Sequence, residues 1–363
     1  QEKRSTMKRV LKAIGLFFLL SVLYLLFWPI NVNPQPWNAP PNPGYNGVFE
    51  QNTQLQVVQI RHKACRACED VAVDSLGRVY GAAVDGRILR FTEGEVEPEV
   101  LANTNGRPLG LDFDAAGNLY IADAIKGLLR LNSAQELSVM SVETDGRPFK
   151  FTDDVEVGPD GKVYFSDASD YWDIHDYKLD LLEHRPLGRL LVFDPASGST
   201  TTLLDSVYFA NGIAVADDTS FVLVNETSNY RTIRYYLKGP KTGQTDIFIE
   251  NLPAFPDGIS RGSDGIFWLA MISPRNPLID RFSTSPFMRK VIARLPTWLQ
   301  PAPATHAGVL GIDSDGTVRY NFQDPEGKFS QISSVQEWNG HLYLGSLLRE
   351  GVGVLENFRS IGE

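Results

Sequence analysis

Acidic and amide residues recur at one position in the sequence, just before strand-like runs of alternating apolar residues. The clearest case is KFTDDVEVGPDGKVYFSDAS, in which Asp153 and Asp154 stand directly before the run VEV. Glu69, Asn211 and Asp257 occupy the same position before other runs. Carboxylate and amide oxygens are the ligands that hard cations such as calcium prefer, so these residues could bind a metal if the fold brings them together.

One supersecondary pattern repeats along the chain: an alternating strand, a turn containing Gly or Asp, and a second strand. Repeats of about 40 to 50 residues with several strands each are typical of a β-propeller, in which one repeat forms one blade. We therefore predict an all-β fold, a six-bladed β-propeller. The copies begin, in chain order, at Glu69, Leu109, Asp153, Asn211, Asp257 and Ser333.

These six leading residues should converge, because the first strand of each propeller blade lines the central channel. Five of the six can offer an oxygen, and three are carboxylates: Glu69, Asp153 and Asp257. Three crowded anions repel strongly at low dielectric unless a cation compensates. Calcium tolerates loose geometry better than magnesium does, and the absence of His and Cys from the set disfavours zinc and copper. Each residue also has an ordinary explanation as a turn former, which stays open.

Two repeats are longer than the others, and the extra residues in both have helix-like apolar spacing. Long loops on a rigid scaffold often carry sites and lids, so His175 and His184 of the first insert could reach over the channel or be solvated surface residues. The aromatic side chains of the inserts could line an apolar pocket, bury the inserts against the propeller, or dip towards a membrane. They are Tyr171, Trp172, Phe282, Phe287 and Trp298.

The N-terminal region predicts a single membrane anchor. Basic residues precede AIGLFFLLSVLYLLFW, which carries no charge and approaches the thickness of a bilayer core. A cleaved signal peptide is the rival, but the small-residue cleavage site is missing. We predict a cytoplasmic basic tail (1–12), an anchor (13–30), an extended Pro-rich spacer (31–50) and the propeller (51–363), with the propeller on the periplasmic, lumenal or extracellular side.

Composition limits the other function classes. The net charge is −10, and no basic-aromatic run or nucleic-acid motif is present, so we expect no nucleic-acid partner. Only Cys65 and Cys68 occur; two thiols cannot complete a four-ligand zinc site, and either a local disulfide or free thiols fit the predicted compartment. The sequon NET at Asn225 would permit glycosylation in a eukaryotic lumen.

Several stretches resemble a known family. RPLGLDFDAAGNLYIADAIKGLLRLN, FTDDVEVGPDGKVYFSDAS, GRLLVFD, FANGIAV, PAFPDGI and GHLYLGS are similar to segments of the calcium-dependent propeller superfamily of strictosidine synthase-like proteins, gluconolactonases, regucalcin and paraoxonases. The resemblance covers roughly residues 69–355. It implies a channel-bound calcium held by Glu69, Asp153, Asn211 and Asp257.

The resemblance also has limits. The family usually has asparagine at the position of Asp153, and the extra carboxylate should tighten cation binding while reducing the Lewis acidity of the metal. The histidine that paraoxonases place in the second blade is Leu109 here. Strictosidine synthase needs a glutamate near the position of Ser333, so condensation of an amine with an aldehyde is not expected.

Ester or lactone hydrolysis is the chemistry that remains. In the similar gluconolactonases the aspartate equivalent to Asp257 acts both on the metal and near the reacting water, which makes Asp257 the expected general base. Asp153 or Asp154 is the second choice, because a carboxylate with a raised pKa could act in the same way. The expected partner is a small ester or lactone. The alternative is a non-catalytic calcium-stabilised scaffold with a protein partner on the inserts or blade edges.

Overall fold

The alternating segments form six four-stranded antiparallel sheets in the computed structural model, which describes residues 2–92 and 97–361. The predicted six-bladed β-propeller is thus confirmed. Parts of the predicted ranges, namely residues 1, 93–96, 362 and 363, lie outside the described residues.

The first three blades follow one another along the chain, each built from consecutive strands. Blade one contains β2 (Val71–Val73), β3 (Val79–Ala82), β4 (Arg87–Phe91) and β5 (Glu99–Asn103). Blade two contains β6 (Pro108–Phe113), β7 (Leu119–Asp123), β8 (Gly127–Leu131) and β9 (Leu137–Ser141). After a small hairpin of β10 (Glu143–Thr144) and β11 (Arg147–Pro148), blade three contains β12 (Thr152–Val157), β13 (Val163–Asp167), β14 (Gly188–Asp194) and β15 (Ser199–Val207).

Blades four and five are also built from consecutive strands, and blade six closes the ring with a strand from the other end of the chain. Blade four contains β16 (Ala210–Val215), β17 (Phe221–Glu226), β18 (Arg231–Tyr236) and β19 (Thr245–Ile249). Blade five contains β20 (Ala254–Arg261), β21 (Ile266–Pro274), β22 (Ala307–Asp313) and β23 (Val318–Asp324). Blade six contains β24 (Ile332–Trp338), β25 (His341–Ser346), β26 (Glu350–Leu355) and, outermost, β1 (Gln59–Arg66). Because β1 precedes blade one, its pairing with β26 fastens the first residues of the propeller to the last.

Among the described residues, six hydrophobic clusters lie between neighbouring blades, and a seventh packs against the first insert. Between blades one and two, for example, Ala72 and Tyr80 pack with Leu111 and Ile121. Corresponding clusters fill the other five interfaces. Each sheet therefore buries its two faces only against its neighbours, as expected for a repeat that cannot form a core alone.

Both inserts are helical, as predicted. The first lies between β13 and β14 and carries α2 (Tyr177–Glu183). The second lies between β21 and β22 and carries α3 (Pro277–Arg281) and α4 (Pro286–Ala293). In the second insert, Asn276 and Ser285 accept hydrogen bonds from the first free amides of α3 and α4, and a proline follows each cap.

The N-terminal helix, α1 (Glu2–Phe27), is the one helix among the described residues that is long and apolar enough to cross a membrane. It includes most of the predicted basic tail and ends at Phe27, before the predicted limit at residue 30. Pro29 accounts for this end, because a proline restricts the residue before it and cannot donate to the helix ladder.

Residues 31–46 form neither helix nor strand, Gly47–Phe49 form a short 3₁₀ helix, and this segment, the predicted spacer, lies against the inserts. The amide of Gln35 donates to the Glu183 carbonyl over 2.8 Å, and the Trp37 indole stacks on His184 with ring centroids 3.9 Å apart. Arg275 donates to the carbonyl of Pro40 over 2.6 Å. These contacts reach both inserts, so the segment ties them to the N-terminal helix.

Cys65 and Cys68 form a disulfide, the first of the two predicted alternatives. Both are fully buried between blades six and one. Their sulfur atoms lie against Gly81, where a Cβ atom would collide with them. The bridge is therefore part of the core at the ring closure.

Candidate metal centre and pocket

The four predicted metal ligands line one cavity at an end of the channel. Glu69 precedes blade one, and Asp153, Asn211 and Asp257 lie near the starts of the inner strands of blades three, four and five. The three carboxylates thus come from alternate blades and approach the axis from three sides. All four residues also border the narrow channel below, a cavity of about 80 Å³.

Irregular pairing turns these side chains towards the axis. The register shifts between Thr152 and Val155 in β12, and equivalent shifts contain Asn211 in β16 and Asp257 in β20. A β-bulge re-aims the side chains of the strand that carries it. Sequence reading found the position of these residues but not the bulges that orient them.

Glycines after two of the ligands allow the inner strands to approach each other closely. A Cβ atom at Gly212, which follows Asn211, would collide with the backbone of β20. A Cβ atom at Gly258, which follows Asp257, would collide with the backbone at Ser333 in β24. The Asn-Gly and Asp-Gly pairs are therefore explained by strand contact as well as by possible ligation.

Asp257 is held on one side and free on the other. Its Oδ1 accepts a 2.6 Å hydrogen bond from the Asn211 amide, and Asn225 donates to its backbone carbonyl. Its Oδ2 is buried and has no partner among the described residues. Burial, and next the nearby Glu69 carboxylate, raise the pKa of Asp257 well above its ordinary value. Asn225 is itself buried, so the predicted sequon is not accessible for glycosylation in the folded chain.

Asp153 is the second strongly perturbed carboxyl group of the cavity. It is buried, and no hydrogen bond to its carboxylate occurs among the described residues. Burial, and next the charges of Glu69 and Asp257, raise its pKa well above the ordinary value. Such a group is stable as an anion only beside a compensating positive charge.

Arg107 supplies one positive charge, from a position that the repeat pattern does not predict. Its guanidinium donates a 2.7 Å hydrogen bond to Glu69 Oε2, and both side chains are largely buried. Burial still raises the pKa of Glu69, against the lowering effect of Arg107. The one sequence feature that could have indicated Arg107 is its place, with Pro108, directly before Leu109, the leading residue of the second repeat. One guanidinium against three carboxylates leaves two negative charges.

The two remaining negative charges fit a hard divalent cation such as calcium. So do the carboxylate and amide oxygens of the four residues, one of which, in Asp257, has no partner among the described residues. Among residues 2–92 and 97–361, however, no three His, Cys, Asp or Glu side chains are arranged to hold a metal by themselves. The three carboxylates surround the axis rather than meeting at a point, and a bound ion would need further oxygen ligands such as the Asn211 amide.

Asp154 has a different place from that expected of a catalytic base. It lines the channel below the ring, where its Oδ2 accepts from the Ile213 amide in the next blade and its Oδ1 accepts from Val155, both over 2.8 Å. Asp112 binds Val157 of the blade after it over 2.7 Å in the same way. These buried carboxylates join neighbouring blades, so the contacts of Asp154 are structural.

A larger, mainly apolar cavity of about 400 Å³ lies above the ring. Both inserts contribute to its walls, and Glu69, Arg107, Asp153, Asn211 and Asp257 form its polar part. The apolar lining includes Phe151, Tyr177, Leu181, Phe209, Phe255 and Ile279. The arrangement resembles a binding pocket, with an apolar body and a few converging polar groups.

The predicted lid histidines do not reach this cavity. His184 is buried between Trp37 and Tyr208, and burial lowers its pKa to about 3. His175 is exposed and does not line the cavity. Of the insert aromatics, Trp172 buries the first insert by donating to Glu183 over 3.0 Å, whereas Trp298 remains exposed.

Comparison with known proteins gives consistent matches. Residues 153–240 match the strictosidine synthase family, and residues 47–91 match the N-terminal strictosidine synthase-like family. The adipocyte plasma membrane-associated protein of Bos taurus is 35% identical over 353 residues, covering 90% of this chain and 85% of the relative. The Arabidopsis thaliana protein STRICTOSIDINE SYNTHASE-LIKE 6 is 36% identical over 286 residues, covering 77% and 76%.

Solved structures show the same fold at much lower identity. A gluconolactonase from Xanthomonas campestris aligns with a TM-score of 0.59 at 14% identity, covering 82% of this chain and 94% of that one. The calcium-binding protein regucalcin from Agrobacterium tumefaciens aligns with a TM-score of 0.57 at 13% identity, covering 82% and 93%. At these identities the likeness establishes the propeller fold alone.

Proposed function

The chain belongs to the strictosidine synthase-like family, and we propose that it is a membrane-anchored, calcium-dependent hydrolase of carboxylic esters or lactones. The observation that carries the proposal is the position of the unpartnered Asp257 oxygen beneath an apolar cavity of about 400 Å³. A gluconolactonase and a calcium-binding protein among the structures of the same fold support it by analogy.

Glu69, Asp153, Asn211 and Asp257 would hold the calcium ion. When bound, calcium polarises a substrate carbonyl and stabilises the negative charge that develops on its oxygen. With a cation bound there, the carboxylates of Asp153 and Asp257 would remain ionised at neutral pH, because its charge would offset the burial and repulsion that raise their pKa values.

Asp257 is the proposed general base. The Asn211 amide fixes its Oδ1, which leaves Oδ2 as the oxygen able to accept a proton from an attacking water. Asn225, through the backbone carbonyl of Asp257, helps to fix the position of the residue.

The cavity walls would bind the part of the substrate that does not react. Phe151 and Phe209 contact each other edge to face, with ring centroids 5.6 Å apart, and Phe255 and Tyr177 line the same space. These surfaces favour an apolar acyl, aryl or ring substituent over a polar one. Arg107 stays paired with Glu69 and so orients this ligand rather than the substrate.

The proposed location is a membrane, with α1 as a single-pass anchor. Its apolar span supports this, as does a relative that is named plasma membrane-associated. Basic residues at the start of α1 favour a cytoplasmic N-terminus and a propeller on the opposite side. A signal sequence is the rival interpretation, but contacts of Arg294 with the helix end favour a helix that stays attached.

The test is a hydrolysis assay on the full chain in detergent, with a panel of aryl esters and lactones. We expect turnover that disappears with a chelator and returns when calcium is added. Turnover that survives chelation would contradict the calcium-dependent mechanism, and no turnover of any substrate would contradict the hydrolase proposal.

A non-catalytic scaffold is the second candidate. The extra carboxylate Asp153 favours it, because the additional negative charge should hold an ion more tightly while lowering its Lewis acidity. In this case calcium would raise the melting temperature without any turnover, and crosslinking at the inserts would recover a protein partner.

A further inference from the structure

The end of α1 is bound directly by the second insert. The Arg294 guanidinium donates to the carbonyl of Leu25 over 2.9 Å and to that of Trp28 over 2.6 Å. Carbonyls at a helix C-terminus lack partners within the helix, and a cation also complements the negative end of the helix dipole. The insert therefore lies at the level where the anchor leaves the bilayer.

The connection after the helix is too short to allow a different placement. Val32, five residues beyond Phe27, is already buried, and the amide of Asn33 donates to the Glu183 side chain in the first insert. Five residues span at most roughly 17 Å when fully extended. The inserts thus lie within a short distance of the membrane surface even without the Arg294 contacts.

The second insert exposes large apolar side chains next to this contact. Trp298 is 80% exposed and Leu299 is 50% exposed, four and five residues after Arg294. The Gln300 side chain donates to the Leu295 carbonyl over 3.0 Å, which folds this stretch back on the end of α4. Phe287, 51% exposed, lies two helical turns before Arg294 and so on the same side of α4.

We propose that Phe287, Trp298 and Leu299, here called the insert surface, lie in the interfacial layer of the bilayer that holds α1. The occupant of this surface is lipid, because the anchor end is bound beside it and because tryptophan is enriched at membrane interfaces. The proposal rests on the proposed anchor but not on the proposed hydrolysis.

The insert surface also places the pocket at the membrane. Gln300, Pro301, Ala302 and Pro303, which follow Leu299 directly, line the apolar cavity. One side of this segment would contact lipid while the next residues form the cavity wall. A substrate that partitions into the bilayer could then enter the cavity without crossing bulk water.

The test uses tryptophan fluorescence of the full chain reconstituted in phosphatidylcholine vesicles, with lipid brominated near the headgroup end of its acyl chains as the quencher. Trp28→Phe serves as the background, since Trp28 at the helix end would also be quenched. We expect bromine to quench part of the emission in this background, and we expect Trp298→Phe added to it to remove that part. Because no substrate is used, the result is independent of any hydrolytic activity.

The matched control is Val139→Trp in the Trp28→Phe/Trp298→Phe background, since Val139 is 62% exposed on the outer strand of blade two. It should not be quenched. Equal quenching with and without Trp298, in chains that resist alkaline carbonate extraction, would overturn the proposal while leaving the anchor intact. Extraction by carbonate would overturn both.

Discussion

The guanidinium of Arg107 lies 2.7 Å from Oε2 of Glu69, so the protein already places one cation of its own among the carboxylates of the candidate metal centre. This pair partly compensates the ring and lowers the charge available to a metal. The electrostatics of the site are therefore those of a ring with two uncompensated negative charges, a suitable match for a divalent ion.

Arg107→Gln should have opposite effects on the metal-free and calcium-bound protein. Loss of the guanidinium leaves Glu69 buried and unpaired, so the metal-free chain should melt at a lower temperature. The same loss removes repulsion towards calcium, and we expect calcium affinity to rise on the order of tenfold. Calorimetric titration and thermal melts measure the two effects. Arg87→Gln, which breaks a surface pair with Asp85, is the control; weaker calcium binding by Arg107→Gln would show that Arg107 holds the ligands in place.

Asp257→Asn should separate catalysis from folding. The amide keeps the shape of the side chain but cannot accept the proton of an attacking water, so kcat at saturating calcium should fall at least about 100-fold. The melting temperature in calcium reports whether the fold survives. Asp315→Asn, at an exposed turn, should behave as the unchanged protein. An unaltered kcat for Asp257→Asn would assign the base to another residue.

Asp154→Ala should destabilise the propeller without changing the chemical step. Its removal leaves the amides of Ile213 and Val155 without their acceptors, which should cost about 2 kcal/mol or more of unfolding free energy. Asp112→Ala removes an equivalent link between blades two and three and should cost a similar amount. Denaturant unfolding and kcat are the measurements. If kcat fell in Asp154→Ala but not in Asp112→Ala, Asp154 would have a catalytic role.

Asp180 should make the stability of the protein depend on pH. It is fully buried in α2, and burial raises its pKa from 3.8 to about 7. The contribution of such a group to stability is complete below its unfolded pKa and is lost as the pH rises through about 7. Ionisation should cost up to roughly 4 kcal/mol by pH 8, in proportion to the shift.

Asp180→Asn should therefore reduce the fall in stability between about pH 5 and pH 8. The measurement is denaturant unfolding across this range at saturating calcium, which keeps the ring carboxylates ionised. Asp315→Asn again serves as the control. Parallel pH profiles for the unchanged protein and Asp180→Asn would contradict the assignment.

The sequence predicted the propeller well because each blade repeats the same local pattern. The position just before the first strand of each blade also predicted which residues, such as Asp153 and Asp257, would border one cavity. This prediction needs only the order of the blades around the channel. Family resemblance supported calcium, which the oxygen side chains already favoured, and added the proposed role of Asp257, which the pattern does not contain.

Features that depend on contacts between blades were not predictable in this way. Arg107 reaches Glu69 across a blade boundary, and nothing in the local pattern of blade two indicates that direction. Asp154 stands before the same strand as Asp153, yet its side chain accepts a hydrogen bond from the inner strand of the next blade. The docking of residues 31–50 likewise depends on how two distant inserts fold, which periodicity does not determine.

The closure of blade six sets the order in which the chain can complete its fold. Residues 59–66 leave the ribosome early but pair with residues 350–355, almost 300 positions later. Until that last strand is synthesised, β1 and β25 each present an open edge, and contacts of such long sequence separation form slowly. A ribosome that stops shortly before Glu350 would thus release a chain with five complete blades and a sixth that cannot close.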